Sequence, residues 1–149
     1  MAPAADFAWS DQSIRATFLL SNAVPQLQRV NAGAWSRLEA AVRRIAAQSD
    51  AAYIFTGPLF DSEITEVIGA NHVAVPSHTY KVILAVQGDR LTMYAAIVPN
   101  SADAIDPLDR YTTTVDSVER RTGLDFFAAL DDTEEHQLES AVHQLSKSF

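Results

Sequence analysis

Two segments constrain this chain more than any others: residues 80–86 and residues 91–98. Each is apolar at many consecutive positions, and Gln87-Gly88-Asp89-Arg90 joins them. A strand with one wet face alternates polar and apolar residues, so a strand apolar along its length is expected where both faces are covered. The short connection with its Gly-Asp pair suits a hairpin loop. The two segments therefore predict the centre of an antiparallel sheet with material packed on each side.

The covering material is written in helical periodicity. Residues 34–48 form the strongest pattern: Trp35, Leu38, Val42 and Ile45 fall in one stripe when each residue turns roughly 100°. Arg37 and Arg44 land on the opposite side, where solvent is expected. Glu39 and Arg43 flank the stripe one turn apart and can pair as i,i+4 neighbours. Residues 51–56 read as a strand stopping at Gly57-Pro58, and residues 16–20 as a strand stopping at Ser21-Asn22, with Pro25 marking irregular backbone beyond it. Residues 115–121 read as a helix between an N-cap at Thr114 and a C′ glycine at Gly123. From about Glu134, Leu138, Val142 and Leu145 recur at helical spacing and predict a last helix. Strand, helix, strand, hairpin, helices is the order of an α+β domain, an antiparallel sheet flanked by helices. At 149 residues and 48% hydrophobic, the chain 1–149 fits one domain with a real core.

Composition excludes several classes. There is no cysteine, so disulfides and thiolate metal sites are impossible. No apolar run is long enough to span a membrane, and no secretory signal is visible. The net charge is −8, which by itself argues against nucleic acid as a partner, because phosphate binding usually leaves a basic footprint. A bound divalent metal supplies positive charge that composition does not count. Many acids also gather away from the candidate site, in Asp131-Asp132-Thr133-Glu134-Glu135. That balance predicts modest non-specific affinity with strong salt sensitivity.

Four residues can carry chemistry. Asn31 stands at the predicted helix entrance, where its amide oxygen can either cap the helix or meet a hard cation that prefers oxygen ligands and keeps several waters. Glu39 can orient water or simply pair with Arg43, a pair worth a few tenths of a kcal/mol at a surface. Arg43 can donate two hydrogen bonds to a phosphate. Asn22 can serve a site or satisfy a turn. Of the four histidines, His72 and His78 surround Pro76, while His136 and His143 are seven apart without the i,i+4 spacing of a zinc helix.

The opening Met-Ala-Pro-Ala-Ala-Asp-Phe7, the segment Thr17-Phe-Leu-Leu-Ser-Asn-Ala-Val-Pro-Gln26 and the segment Asn31-Ala-Gly-Ala-Trp-Ser-Arg-Leu-Glu39 together resemble the DNA/RNA non-specific endonucleases, the ββα-metal or His-Me finger nucleases. Later blocks continue the likeness: Tyr53-Ile-Phe-Thr-Gly-Pro58, residues 75–84 and 94–100, and Thr122-Gly-Leu-Asp-Phe-Phe127. The resemblance implies a Mg²⁺-dependent endonuclease, with Mn²⁺ as another possible ion, that hydrolyses DNA and RNA to 5′-phosphate products without a membrane partner. It implies Asn31 as the metal ligand, Glu39 as organiser of the water around the ion, Arg43 as a stabiliser of the scissile phosphate, and Asn22 as a neighbour of the active centre.

In that family Asp-Arg-Gly-His stands directly before the opening motif and its histidine deprotonates the attacking water. Here the sequence begins one residue beyond that place. The expectation is an N-terminally truncated domain, inactive or nearly so, in which no other histidine substitutes. Two other classes stay open: a catalytically dead nucleic-acid- or metal-binding module, and a fragment whose exposed sheet edge is completed by a homo-oligomer or another chain.

Overall fold

The structure, a computed structural model, describes residues 2–60, 63, 64, 66–104 and 107–146, so Met1 of the opening motif lies outside the described residues. The elements in chain order are α1 (Asp11–Thr17), α2 (Gln28–Val30), α3 (Ser36–Ala47), β1 (Ala51–Leu59), β2 (Val67–Ile68), β3 (Val73–Ala74), β4 (His78–Gln87), β5 (Arg90–Pro99), β6 (Thr112–Thr113), α4 (Val115–Thr122) and α5 (Asp132–Glu139). The main sheet has the order β1-β4-β5-β6 and every pair is antiparallel. β2 and β3 form a small separate ribbon.

The predicted hairpin is the centre of this sheet. Gln87 pairs with Arg90, which leaves Gly88 and Asp89 as the turn. Gly88 takes φ +55°, a left-handed value that a two-residue hairpin loop asks for and glycine adopts without strain. Asp50 accepts a hydrogen bond from the Gly88 amide at 2.7 Å and ties the turn to the end of β1.

Side-chain alternation then divides the core in two. Ile83, Ala85, Ala96 and Val98 face α3 and pack with Leu38, Ala41, Val42 and Ile45. Tyr80, Val82, Leu84, Met93 and Ala95 face the other way and pack with Val115 and Val118 of α4 and with Phe126. A 12-residue helix is marginal in water on its own. Burying an aliphatic side chain contributes about 1.5–3 kcal/mol, so the α3 stripe outweighs that deficit and fixes which flank of the helix stays open.

Three sequence expectations need correction. Residues 16–20 are not a strand. Ser10 caps α1 by accepting from Ser13, the helix ends at Thr17, and residues 20–22 form a 3₁₀ turn. Phe18, Leu19 and Leu20 are exposed, and local helical bonds satisfy a backbone that has no strand beside it. A short apolar run reads the same either way.

The strand 51–56 continues through Gly57-Pro58 to Leu59. β1 is an edge strand, where a proline costs no ladder bond that an inner strand would need. Gly57 lies opposite Tyr80, and a Cβ there would stand 2.7 Å from its ring, so the close approach requires glycine.

The last helix stops at Glu139 instead of running through Leu145. Leu138 packs on the α4 side of the sheet, whereas Leu145 is fully buried on the α3 side and Val142 is exposed. One helix face cannot serve both sides of a sheet.

Candidate active site

The helical backbone starts before the predicted entrance. Leu27 precedes the short α2, and residues 31–35 form a π-type turn running into α3, interrupted at Gly33 (φ −103°, ψ −109°). Asn31 itself is helical (φ −58°, ψ −49°), so it is not the N-cap, and the capping explanation for it fails. Its side chain is exposed. The incoming loop is held by Asn100, which accepts from the Leu27 amide at 2.9 Å and donates to Pro25 O and Pro76 O.

The open flank of α3 faces the N-terminal segment across two adjoining clefts. The larger, about 410 Å³, is lined by Asp6, Asn22, Glu39, Thr56 and Lys81 among others. The smaller, about 190 Å³, is lined by Asn22, Gln26, Asn31, Trp35 and Glu39 among others. Ala2, Pro3, Asn22 and Glu39 belong to both walls. The fold thus brings all four sequence-selected residues together: Asn31, Glu39 and Asn22 line the smaller cleft, and Arg43 stands one turn beyond Glu39.

Each has a definite setting. Asn22 braces the entrance: its carbonyl accepts from the Ala2 amide at 2.7 Å, and its amide donates to Ala2 O at 2.9 Å and Thr17 O at 2.8 Å. This makes it the clasp of the N-terminal segment. Glu39 is 17% exposed at its side chain and lies 3.9 Å from the Arg43 guanidinium. Burial raises its carboxyl above the ordinary range; Lys81 and Arg43 pull it back, Asp6 pushes it up, and Trp35 steadies the charged form. Pairing with Arg43 alone would have lowered it, so desolvation decides the sign. Arg43 also donates through Nε to Asp6, and so bridges α3 to the opening motif.

Two participants were missed from sequence. Asp6 was read only as part of a motif. Lys81 was read as part of a structural strand pattern, yet it is 2% exposed, donates to Thr56 Oγ1 at 3.0 Å and sits 4.7 Å from the centre of the Trp35 ring. Burial pulls its ammonium down to about 8, with Glu39 and Asp6 opposing the drop and Arg43 adding to it. The available signal was a lone charge in an otherwise apolar central strand, which must find a partner when buried.

Among the described residues no histidine lines either cleft. His78 contacts Ser77 and Arg121, His143 contacts Met93 O, and His136 and His143 do not share a helix because α5 ends between them.

Chemically the site offers neutral amide oxygens, the carboxylates of Glu39 and Asp6, and cationic groups around open space. Among the described residues no cluster of three acids occurs here; the single such group lies elsewhere. This donor set fits a hard cation that keeps most of its waters, and it does not fit a fully protein-caged ion.

An antiparallel sheet backed by a helix that presents this flank to a cleft is the α+β arrangement of the His-Me finger nucleases. The chain belongs to the DNA/RNA non-specific endonuclease family, whose sequence model matches residues 1–133. It is 37% identical over 137 residues to the mitochondrial endonuclease G of Homo sapiens, covering 85% of this chain and 46% of that protein. It is 40% identical over 143 residues to the mitochondrial nuclease EXOG of Danio rerio, covering 87% and 42%. A chain in the crystal structure of the EndoG/EndoGI complex superposes with a TM-score of 0.79 at 38% identity, covering 88% of this chain and 58% of that one. The chain therefore spans about half the length of the curated relatives it matches.

Proposed function

We propose that this chain is the metal- and phosphate-holding body of an endonuclease that hydrolyses phosphodiester bonds of DNA and RNA, leaving 5′ phosphates. The observation that carries this reading is the shared cleft wall of Asn31 and Glu39, with Arg43 beside them. When bound, a hydrated Mg²⁺, or another divalent cation such as Mn²⁺, supplies positive charge to the scissile phosphate and the departing 3′ oxygen. Asn31 offers its amide oxygen to that ion. Glu39 accepts hydrogen bonds from water around it. Arg43 turns its free donors to phosphate oxygens, and the Lys81 charge favours the ionised form of Glu39. Asn22 keeps the N-terminal segment closed over the site.

Among the described residues the cleft holds no histidine to deprotonate water, and a positioned general base contributes roughly 10² to 10⁴ in rate. Cleavage by these 149 residues is accordingly slow or absent. The test is nicking of supercoiled plasmid, and of RNA in parallel, with Mg²⁺, Mn²⁺ or EDTA, and with free imidazole added as a substitute base. Slow, EDTA-sensitive nicking that imidazole accelerates and Asn31→Ala abolishes is the expected result. If Asn31→Ala neither slows nicking nor weakens Mn²⁺ binding measured by electron paramagnetic resonance, the reading fails. Salt-dependent DNA binding with no cleavage under any condition would make the chain a binding module instead.

A further inference from the structure

On the opposite side of the sheet lies a cluster that the nuclease reading does not use. Asp116 in the first turn of α4, Glu119 one turn later, and Glu139 at the end of α5 each place a carboxylate oxygen within 4.8 Å of the others. Acidic clusters on surfaces are common and empty. This one differs in its third member. Glu139 is 6% exposed, and among the described residues its buried Oε1 has no hydrogen-bond partner although the carboxylate reaches the cluster. One turn earlier on α5, Glu135 also has a buried Oε1 without a partner. The charged groups that bear on Glu139 are Glu119, Glu135 and Asp116, all of its own sign, and a side-chain hydrogen bond with Glu119 reaches its carboxyl while its Oε1 stays without a partner. Glu119 is held in place from outside the cluster, since its Oε1 accepts from the Phe126 amide at 2.7 Å.

We propose that Asp116, Glu119 and Glu139 form a calcium site that fastens α5 to α4. An unpaired buried carboxylate oxygen is costly, and buried charges are ordinarily paired or bound to a metal. A proton shared in the cluster removes one charge and satisfies one oxygen. A dication offsets two charges and engages all three carboxylates at once. The donors are all oxygen, which suits a hard cation and leaves zinc without its usual nitrogen or sulfur ligands. Ligand count then separates calcium from magnesium. Mg²⁺ dehydrates reluctantly and is usually held through one or two carboxylates, whereas Ca²⁺ accepts several protein oxygens in flexible geometry, so three converging carboxylates favour calcium. Glu135 is placed to add a water-mediated contact.

The experiment uses the whole chain, stripped of metal and held at pH 7.5, with CaCl₂ and MgCl₂ as the probes. Calorimetric titration should find one Ca²⁺ per chain, bound at least about tenfold more tightly than Mg²⁺ at this site. Calcium at about 100 times its dissociation constant should raise the melting temperature by about 8 °C. The effect should survive Asn31→Ala, which disables the nuclease cleft, and vanish in Glu139→Gln. Asp116→Asn, at a half-buried position, serves the same purpose should Glu139→Gln fail to fold. The proposal is overturned if millimolar calcium leaves the wild-type melting temperature unchanged, if the shift persists in both carboxylate variants, or if Asn31→Ala removes it. Because the cleft variant and the cluster variants are read separately, failure here leaves the nuclease reading standing, and the reverse also holds.

Discussion

The two faces of the sheet each bury a carboxylate, and they treat it in opposite ways. On the α3 face, Glu39 pairs with Arg43 and feels the Lys81 charge, with Asp6 on the far side of Arg43, so charges of both signs interleave around open space. On the α4 face, Glu139 is surrounded only by acids among the groups that bear on it. The first arrangement is complete in charge and can receive a substrate that brings a phosphate and an ion together. The second is incomplete and calls for a cation of its own. Desolvation raises both carboxyls, so depth alone does not distinguish the sites; the sign of the neighbours does.

The largest expected effect breaks the balanced face. Lys81→Ala removes a buried cation from beside Glu39 and empties the space against the Trp35 ring. Truncating a long buried side chain to alanine typically costs about 2–5 kcal/mol. Lys81→Met keeps the stem and loses only the charge, and should cost less than about 2 kcal/mol. Equilibrium unfolding in guanidinium measures both. Equal losses in the two variants would mean that Lys81 matters by volume and not by charge.

A second prediction contrasts the pH limbs of the two faces in calcium-free protein. Lys81 titrates at about 8 in the fold, below its ordinary 10.5. Between those values the unfolded chain binds more protons, so stability rises with pH there, by up to about 3 kcal/mol. Glu139 titrates at about 8, above its ordinary 4.5. Its contribution is full below the ordinary value and is lost as pH rises through about 8. Lys81→Met should flatten the alkaline rise, and Glu139→Gln the decline that precedes it. Denaturant midpoints from pH 4 to 11 in EGTA check this, and a variant that leaves its own limb unchanged contradicts the assignment.

How much of this was legible follows from what each signal depends on. The hairpin, the α3 stripe and the Thr114 and Gly123 boundaries were readable because turn chemistry and helical periodicity are local. Asn31 and Glu39 were singled out through the motif spacing of the resembling family, and the turn at residues 31–35 running into α3 sets both on the wall of one cleft. Residues 16–20 were misread because an apolar run says nothing of whether a strand lies next to it. Lys81 and Asp6 were missed because their partners, Thr56, Trp35 and Arg43, are distant in sequence. The Asp116, Glu119 and Glu139 cluster was invisible for the same reason: α4 and α5 meet only in three dimensions, and the acids noticed in sequence were the neighbouring 131–135 run.

The smallest expected effect concerns the sheet's β1 edge, which borders both faces. Tyr53, Ile54 and Phe55 are 56%, 43% and 42% exposed there. Ile54 lines the larger cleft, and Phe55 packs on Phe126 and Phe127 at ring distances of 5.2 and 5.3 Å. Tyr53 has no such duty among the described contacts, and a charge on an edge strand discourages pairing with another strand. Tyr53→Lys should therefore change unfolding stability by less than about 0.5 kcal/mol. It should also abolish any concentration-dependent association seen by sedimentation velocity. Association that is unchanged in Tyr53→Lys would move the contact away from β1, and a large stability loss would show that this edge is packed and not open.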